Sequence, residues 1–311
     1  MIQVTHLKTF RLLGEVMLAG LATLAWAQAP AITVVNGTVN LGSVVPGVSA
    51  GTVTLTTTSD TPTFGGATAK GSSTPATLRG SYTITGRNGD AWTATTVPAS
   101  PATFTLTGSA GGTIRGTVTV GSPSGTFPSA ATCYLGVALN VGANQTPGTY
   151  TGTNVIQLTL RDTTRGRTTT TNFSVTVKMQ PVITMTNTRA LSFGPVVTSA
   201  TAGTVVLTPA GVRTVTGGVT LTPGGTATSA SFNLTGAASA TFAITLPASI
   251  TLNRTGGGTM TVTAINSTPS GTGTFSTGGT LTLTVGGTLN VGARQTGGAY
   301  TGTYSVTVAY N

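Results

Sequence analysis

The stretch Leu139 to Thr153, LNVGANQTPGTYTGT, returns almost unchanged about 150 residues later as Leu289 to Thr303, LNVGARQTGGAYTGT. A period of that length is a whole domain, far longer than one rung of a solenoid. Both copies read as a strand, a Gly/Pro turn and a second strand. Other anchors correspond in the same order: Pro30-Ala31-Ile32-Thr33 with Pro181-Val182-Ile183-Thr184, Val39 to Val45 with Leu191 to Val197, and Ala50 to Leu55 with Ala202 to Leu207. One fold is therefore present twice, as residues 28–179 and 180–311, and the junction at Gln180-Pro181 has no Gly/Ser- or Pro-rich spacer.

Each copy reads as short strands cut by turns. Alternation is plain in Phe232-Asn233-Leu234 and in Phe242-Ala243-Ile244-Thr245-Leu246, and hardly any segment keeps a helical period. Many short strands with regular Gly and Pro punctuation predict an all-β protein, an antiparallel β-sandwich or barrel in each copy. Thr supplies β-branching together with a hydroxyl, so the sheets can face water although only 6% of residues are charged. A repeat of this size buries about two-thirds of its unfolded surface and needs no disulfide.

Near the start, Lys8 and Arg11 precede an apolar run from Val16 to Trp26 that ends in Ala25-Trp26-Ala27. A charged beginning, a short apolar core and a small-x-small site predict a secretory signal peptide over residues 1–27. No other run is long enough to span a membrane as a helix. Cleavage would remove the single His and the single Glu, leaving Asp60, Asp90 and Asp162 as the side-chain carboxylates. General acid/base work needs His or paired carboxylates. Zinc asks for Cys and His, and calcium for clustered carboxylates. Three Asp spread along the chain answer none of these needs, so the sequence predicts no catalytic residues, no cofactor and no metal. The basic residues are scattered, unlike those of a nucleic-acid groove. The one cluster, Arg161, Arg165 and Arg167, reads as a solvated turn or as a contact for anionic surface polymers.

The copies differ near their ends. In the second, Tyr-Thr-Gly-Thr leads straight into Tyr304 to Tyr310. In the first, two segments compete as its counterpart: Asn154 to Leu160 by position, and Phe173 to Met179 by sequence. Either way the first domain carries an extra β-hairpin near residues 154–172, turning at about Thr163 to Arg167, which covers a sheet edge or offers one. Cys133 aligns with Leu283 and reads as a small buried hydrophobe, with an intermolecular disulfide as the alternative. In the last strand Tyr304, Val306, Val308 and Tyr310 share one face. That strand either closes its own sandwich or serves assembly by chaperone capture or strand addition.

The LNVGA ending with its Gly-x-Tyr-Thr-Gly-Thr and Ser-Val-Thr-Val motifs, and the Leu-x-Phe-Gly and Ala-Gly-Thr-Val opening, resemble a bacterial family of secreted domains of unknown function similar to fimbrial subunits and spore-coat-U-type proteins. The resemblance implies two tandem immunoglobulin-like sandwiches in the periplasm or at the cell surface, with self-assembly or a periplasmic chaperone as partners. It brings no catalytic or ligand residues. The chain lacks the Cys pair of pilus subunits and fuses two domains. The expected role is a non-catalytic secreted structural or adhesive protein, fimbrial or coat-like. The alternative is a carbohydrate- or polymer-binding module, for which Trp92, Tyr82 and Tyr134 are the candidate aromatics of the first domain.

Overall fold

A computed structural model describes residues 28–72, 76–97, 103–127 and 131–311, and the expected leader, residues 1–27, lies outside them. No described residue is helical. The first repeat opens with β1 (Ala31–Asn36), β2 (Thr38–Val45), β3 (Gly51–Leu55), β4 (Thr63–Gly66) and β5 (Ala69–Lys70). It continues with β6 (Gly80–Thr85), β7 (Ala91–Val97), β8 (Thr103–Gly108), β9 (Thr113–Val120) and β10 (Ser124–Thr126). Three long strands follow, β11 (Ala131–Val141), β12 (Gly148–Asp162) and β13 (Arg167–Met179). The second repeat holds β14 (Thr184–Arg189), β15 (Val196–Leu207), β16 (Arg213–Leu221), β17 (Ala230–Thr235), β18 (Thr241–Thr245) and β19 (Ile250–Arg254). It ends with β20 (Thr259–Thr268), β21 (Thr272–Thr274), β22 (Thr280–Val291), β23 (Tyr300–Thr301) and β24 (Thr307–Tyr310). Two compact units result, divided for most of their residues at Met179 and Gln180.

Both units are antiparallel sandwiches of immunoglobulin-like type, and the repeat is visible strand by strand. In the first, β6 pairs with β11 so that Tyr82 faces Cys133. In the second, β17 pairs with β22 so that Phe232 faces Leu283. Residues on one face alternate with those on the other, as the pleat requires, and the inward set forms the core. In the first unit Leu41, Tyr82, Ile84, Leu135 and Leu139 are wholly buried. In the second, Phe242, Leu283 and Val285 are equally inaccessible. Outward faces carry Thr pairs across strands, such as Thr184 with Thr235 at 2.6 Å and Thr204 with Thr216 at 2.7 Å. These pairs give the sheet a polar surface without charge.

The two sandwiches close differently. In the first unit β12 belongs to both layers: Tyr150 and Thr151 pair with β8, while Gln157 to Asp162 pair with β7. A bulge between Gly152 and Ile156, with Asn154 at φ 55°, turns the strand from one layer to the other. The strands of that unit therefore join into one curled 13-stranded sheet. In the second unit the same path is interrupted. β23 pairs with β19 and β24 with β18, leaving separate sheets of eight and three strands.

Candidate functional site

The corner that the sequence repeats most faithfully is a structural device. Gln145 donates from Nε2 to the Tyr150 hydroxyl at 2.7 Å, and that hydroxyl donates to the Thr146 carbonyl at 2.9 Å. Gln295, Tyr300 and Thr296 repeat the arrangement at 2.7 and 2.8 Å. A Tyr whose hydroxyl bonds back to the backbone a few residues upstream is the tyrosine corner of immunoglobulin-like domains. The repeated motif thus fixes how one strand enters the next layer.

The unequal part of the repeat is where a site forms. β24 pairs on one side with β18, Val308 opposite Ile244 and Tyr310 opposite Phe242. In the first unit β12 faces β7 in the same way, Leu160 opposite Ala94 and Asp162 opposite Trp92. The counterpart of Tyr304 to Tyr310 is therefore Ile156 to Asp162, close to the match by position, and the sequence likeness to Phe173 to Met179 is not a structural equivalence. β13 is an additional strand. It covers the outer edge of β12, with Phe173 opposite Ile156, Val175 opposite Gly152, Val177 opposite Tyr150 and Met179 opposite Gly148. On its other side it lies beside β2. Its four apolar side chains are at most 1% exposed.

Among the described residues no strand pairs at the matching place in the second unit. β23 and β24 end their sheets there. Beside them lies a groove of about 730 Å³ whose walls include Leu191, Phe193, Leu252, Met260, Tyr300 and Tyr304. Counterparts in the two units reveal the missing wall. Val39, Leu106, Tyr150 and Ile156 are 0% exposed in the first. Leu191, Leu252, Tyr300 and Tyr304, which stand in their places, are only half-buried and flank their core from outside. The Tyr304 hydroxyl has no hydrogen-bond partner, and burial pushes its pKa above the ordinary tyrosine value.

The four residues singled out as a possible assembly strand take a definite place. Tyr304, Val306, Val308 and Tyr310 all pack, half-buried, on the core of their own unit. Tyr310 is pinned further: its hydroxyl accepts from the Ala237 amide at 2.6 Å and donates to the Pro181 carbonyl at 2.9 Å. This strand closes its own sandwich. What it leaves open is its outer edge.

The remaining candidates are held internally. Asp60 pairs with Arg79 at 3.0 Å, and that contact lowers its pKa. Asp90 accepts from Arg165 Nε at 2.5 Å, while Asp162, 1% exposed, accepts from the Arg165 amide at 2.9 Å. Two of the three carboxylates thus meet at the turn of the extra hairpin, where they hold Arg165, one member of the basic cluster. Arg161 is exposed beside them. No group of three His, Cys, Asp or Glu side chains that could hold a metal ion occurs among the described residues. Of the aromatics, Trp92 and Tyr82 are core residues, 5% and 0% exposed, and Tyr134 lies under Arg79 at 3.9 Å. Cys133 is buried, and burial raises its thiol pKa.

Residues 32–160 and 183–310 each match the family described as Domain of unknown function (DUF4402). The chain belongs to this family. Its two family segments include β12 almost to its end and β24, and β13 falls outside both. Among curated proteins none matches the sequence. Solved structures show loose likeness. The CsuC–CsuE chaperone–tip adhesion subunit pre-assembly complex of the archaic chaperone-usher Csu pili of Acinetobacter baumannii is 8% identical, with 89% of this chain and 99% of that chain covered and a TM-score of 0.28. A chaperone–tip adhesin complex of CFA/I fimbriae biogenesis is 12% identical, covering 89% and 97%, with a TM-score of 0.25. The PapD-like domain 7 of human CEP192 is 9% identical, covering 48% and 84%, with a TM-score of 0.26. No helix among the described residues is long and apolar enough to cross a membrane.

Proposed function

We propose that this protein is a non-catalytic, exported structural subunit of a bacterial surface assembly, fimbrial or coat-like, and that its second domain joins a neighbour or a chaperone by strand addition. One observation carries the reading. The same sandwich occurs twice in one chain, sealed by β13 in the first copy and open along the matching edge in the second. An open sheet edge beside a groove of mixed apolar and polar lining is an arrangement that can take up an extended segment, with backbone hydrogen bonds giving affinity and alternate side chains giving selectivity. The supply of ionisable groups supports the non-catalytic part, since Asp60 and Asp90 are engaged by arginines.

A glycan-binding platform is the weaker reading, because Trp92 and Tyr82 are spent on the core. The test is to express the chain with its leader in a Gram-negative host and fractionate the cells, then image the extracted protein by electron microscopy. Chain in the periplasm or outside the cell, incorporated in filaments or a coat or bound to a chaperone, is the expected result. Soluble monomer in the cytosol, with no partner on cross-linking, would overturn it.

A further inference from the structure

This inference rests on the acceptor reading and names what the acceptor selects. In the first unit the sealing strand sets its side chains at every second residue, Phe173, Val175, Val177 and Met179, opposite Ile156, Gly152, Tyr150 and Gly148. The spacing on β12 is uneven because of the bulge. In the second unit the counterparts are Tyr304, Gly302, Tyr300 and Gly298, at an even spacing of two. An incoming antiparallel strand laid along Gly298 to Tyr304 would bring its apolar side chains to those four positions in turn.

Room differs at one position. Phe173 fits in the first unit because Gly80 leaves room for its ring. It stacks edge-on against Tyr82 with ring centroids 5.9 Å apart, and it passes so close to Gly80 that a Cβ there would lie 3.3 Å from its ring. Gly80 and Leu135 pair as Ala230 and Val285 do. Where the first unit has Gly80 and Ile156, the second has Ala230 and Tyr304. It supplies the Cβ that Gly80 lacks and a ring where Ile156 had a short aliphatic chain. The space taken by the Phe173 ring is thus already partly filled.

The geometry points to a groove that binds an extended strand of a partner protein with apolar residues at every second position, the one opposite Tyr304 being small, such as Val or Ala. The same bulk disfavours the protein's own β13 as the occupant. β13 is also committed elsewhere, since it is buried and paired on both sides in its own domain.

The test uses the full chain and two fluorescent peptides, the 13-residue β13 sequence and the same peptide with Phe173→Val. The Val peptide is expected to bind about tenfold tighter or more by fluorescence anisotropy, because overpacking a filled position is penalised. In a protein carrying Tyr304→Ile and Ala230→Gly the preference should reverse toward the Phe peptide. Equal binding, or tighter binding of the Phe peptide to the native chain, would overturn the selection and leave the acceptor itself intact. Binding of neither peptide would overturn both.

Discussion

At the residue scale the repeated Gln and Tyr show why the LNVGA segment is so alike in the two copies. Each pair satisfies a turn that would otherwise leave backbone groups unpaired, and in the second unit Tyr300 also forms part of the groove wall. Tyr150→Phe removes a hydroxyl that is wholly buried and bonds to Gln145, so it should cost about 1–3 kcal/mol in urea unfolding, by stranding that carboxamide. Tyr300→Phe should cost less, because Tyr300 is half-buried and water can reach its partner. Asp60 gives a weaker effect with a definite sign. Its folded pKa is lowered by Arg79, so the contact stabilises at pH values above the ordinary carboxylate range and fades as pH falls through the folded value. The group is half-exposed, so the contribution is small. Asp60→Asn should slightly lower stability at neutral and alkaline pH, and the difference from the native chain should shrink as pH falls toward about 3, which flattens the acid limb. Cys133 should react with a thiol reagent only as fast as the unit opens, since burial both hides the sulfur and disfavours its thiolate.

At the scale of elements the decisive strand is β13. Truncating its best-buried ring, Phe173→Ala, should destabilise the first unit by about 3–5 kcal/mol in chemical denaturation, the usual loss for a large aromatic in a closed core. Amide hydrogen exchange offers a second check. β12 is paired on both sides and β24 on one, so amides of Gln157 to Leu160 should exchange at least about tenfold more slowly than those of Thr307 to Tyr310. Most strands were legible from sequence, because alternation and turn residues mark them one by one. The hairpin turn was also visible in Thr163 to Arg167. The groove was not. Leu191, Phe193 and Leu252 read as ordinary inward positions, and an alternating pattern cannot say whether the strand that should cover it exists. The available signal was a mismatch in number: Phe173 to Met179 supplies the first copy with an apolar strand beyond those the second copy contains. Its likeness in sequence to Tyr304 to Tyr310 concealed this, because Ser-Val-Thr-Val suits any strand facing a core.

At the scale of the whole molecule, one chain holds a finished and an unfinished version of the same design. Burying four side chains such as those of β13 is worth about 1.5–3 kcal/mol each, and the second unit forgoes that gain until something occupies its groove. A bound strand of the favoured sequence should raise its thermal midpoint in proportion to affinity and concentration, as measured by calorimetry with and without peptide. The open margin of β24 also has a consequence for biogenesis. Newly folded molecules carry a raw, sticky rim, and in a crowded compartment such rims find one another. Timing then becomes part of the proposed strand-addition role: an escort would have to reach that rim before a sibling does, and cells deprived of it should accumulate the protein as clumps or as proteolytic fragments.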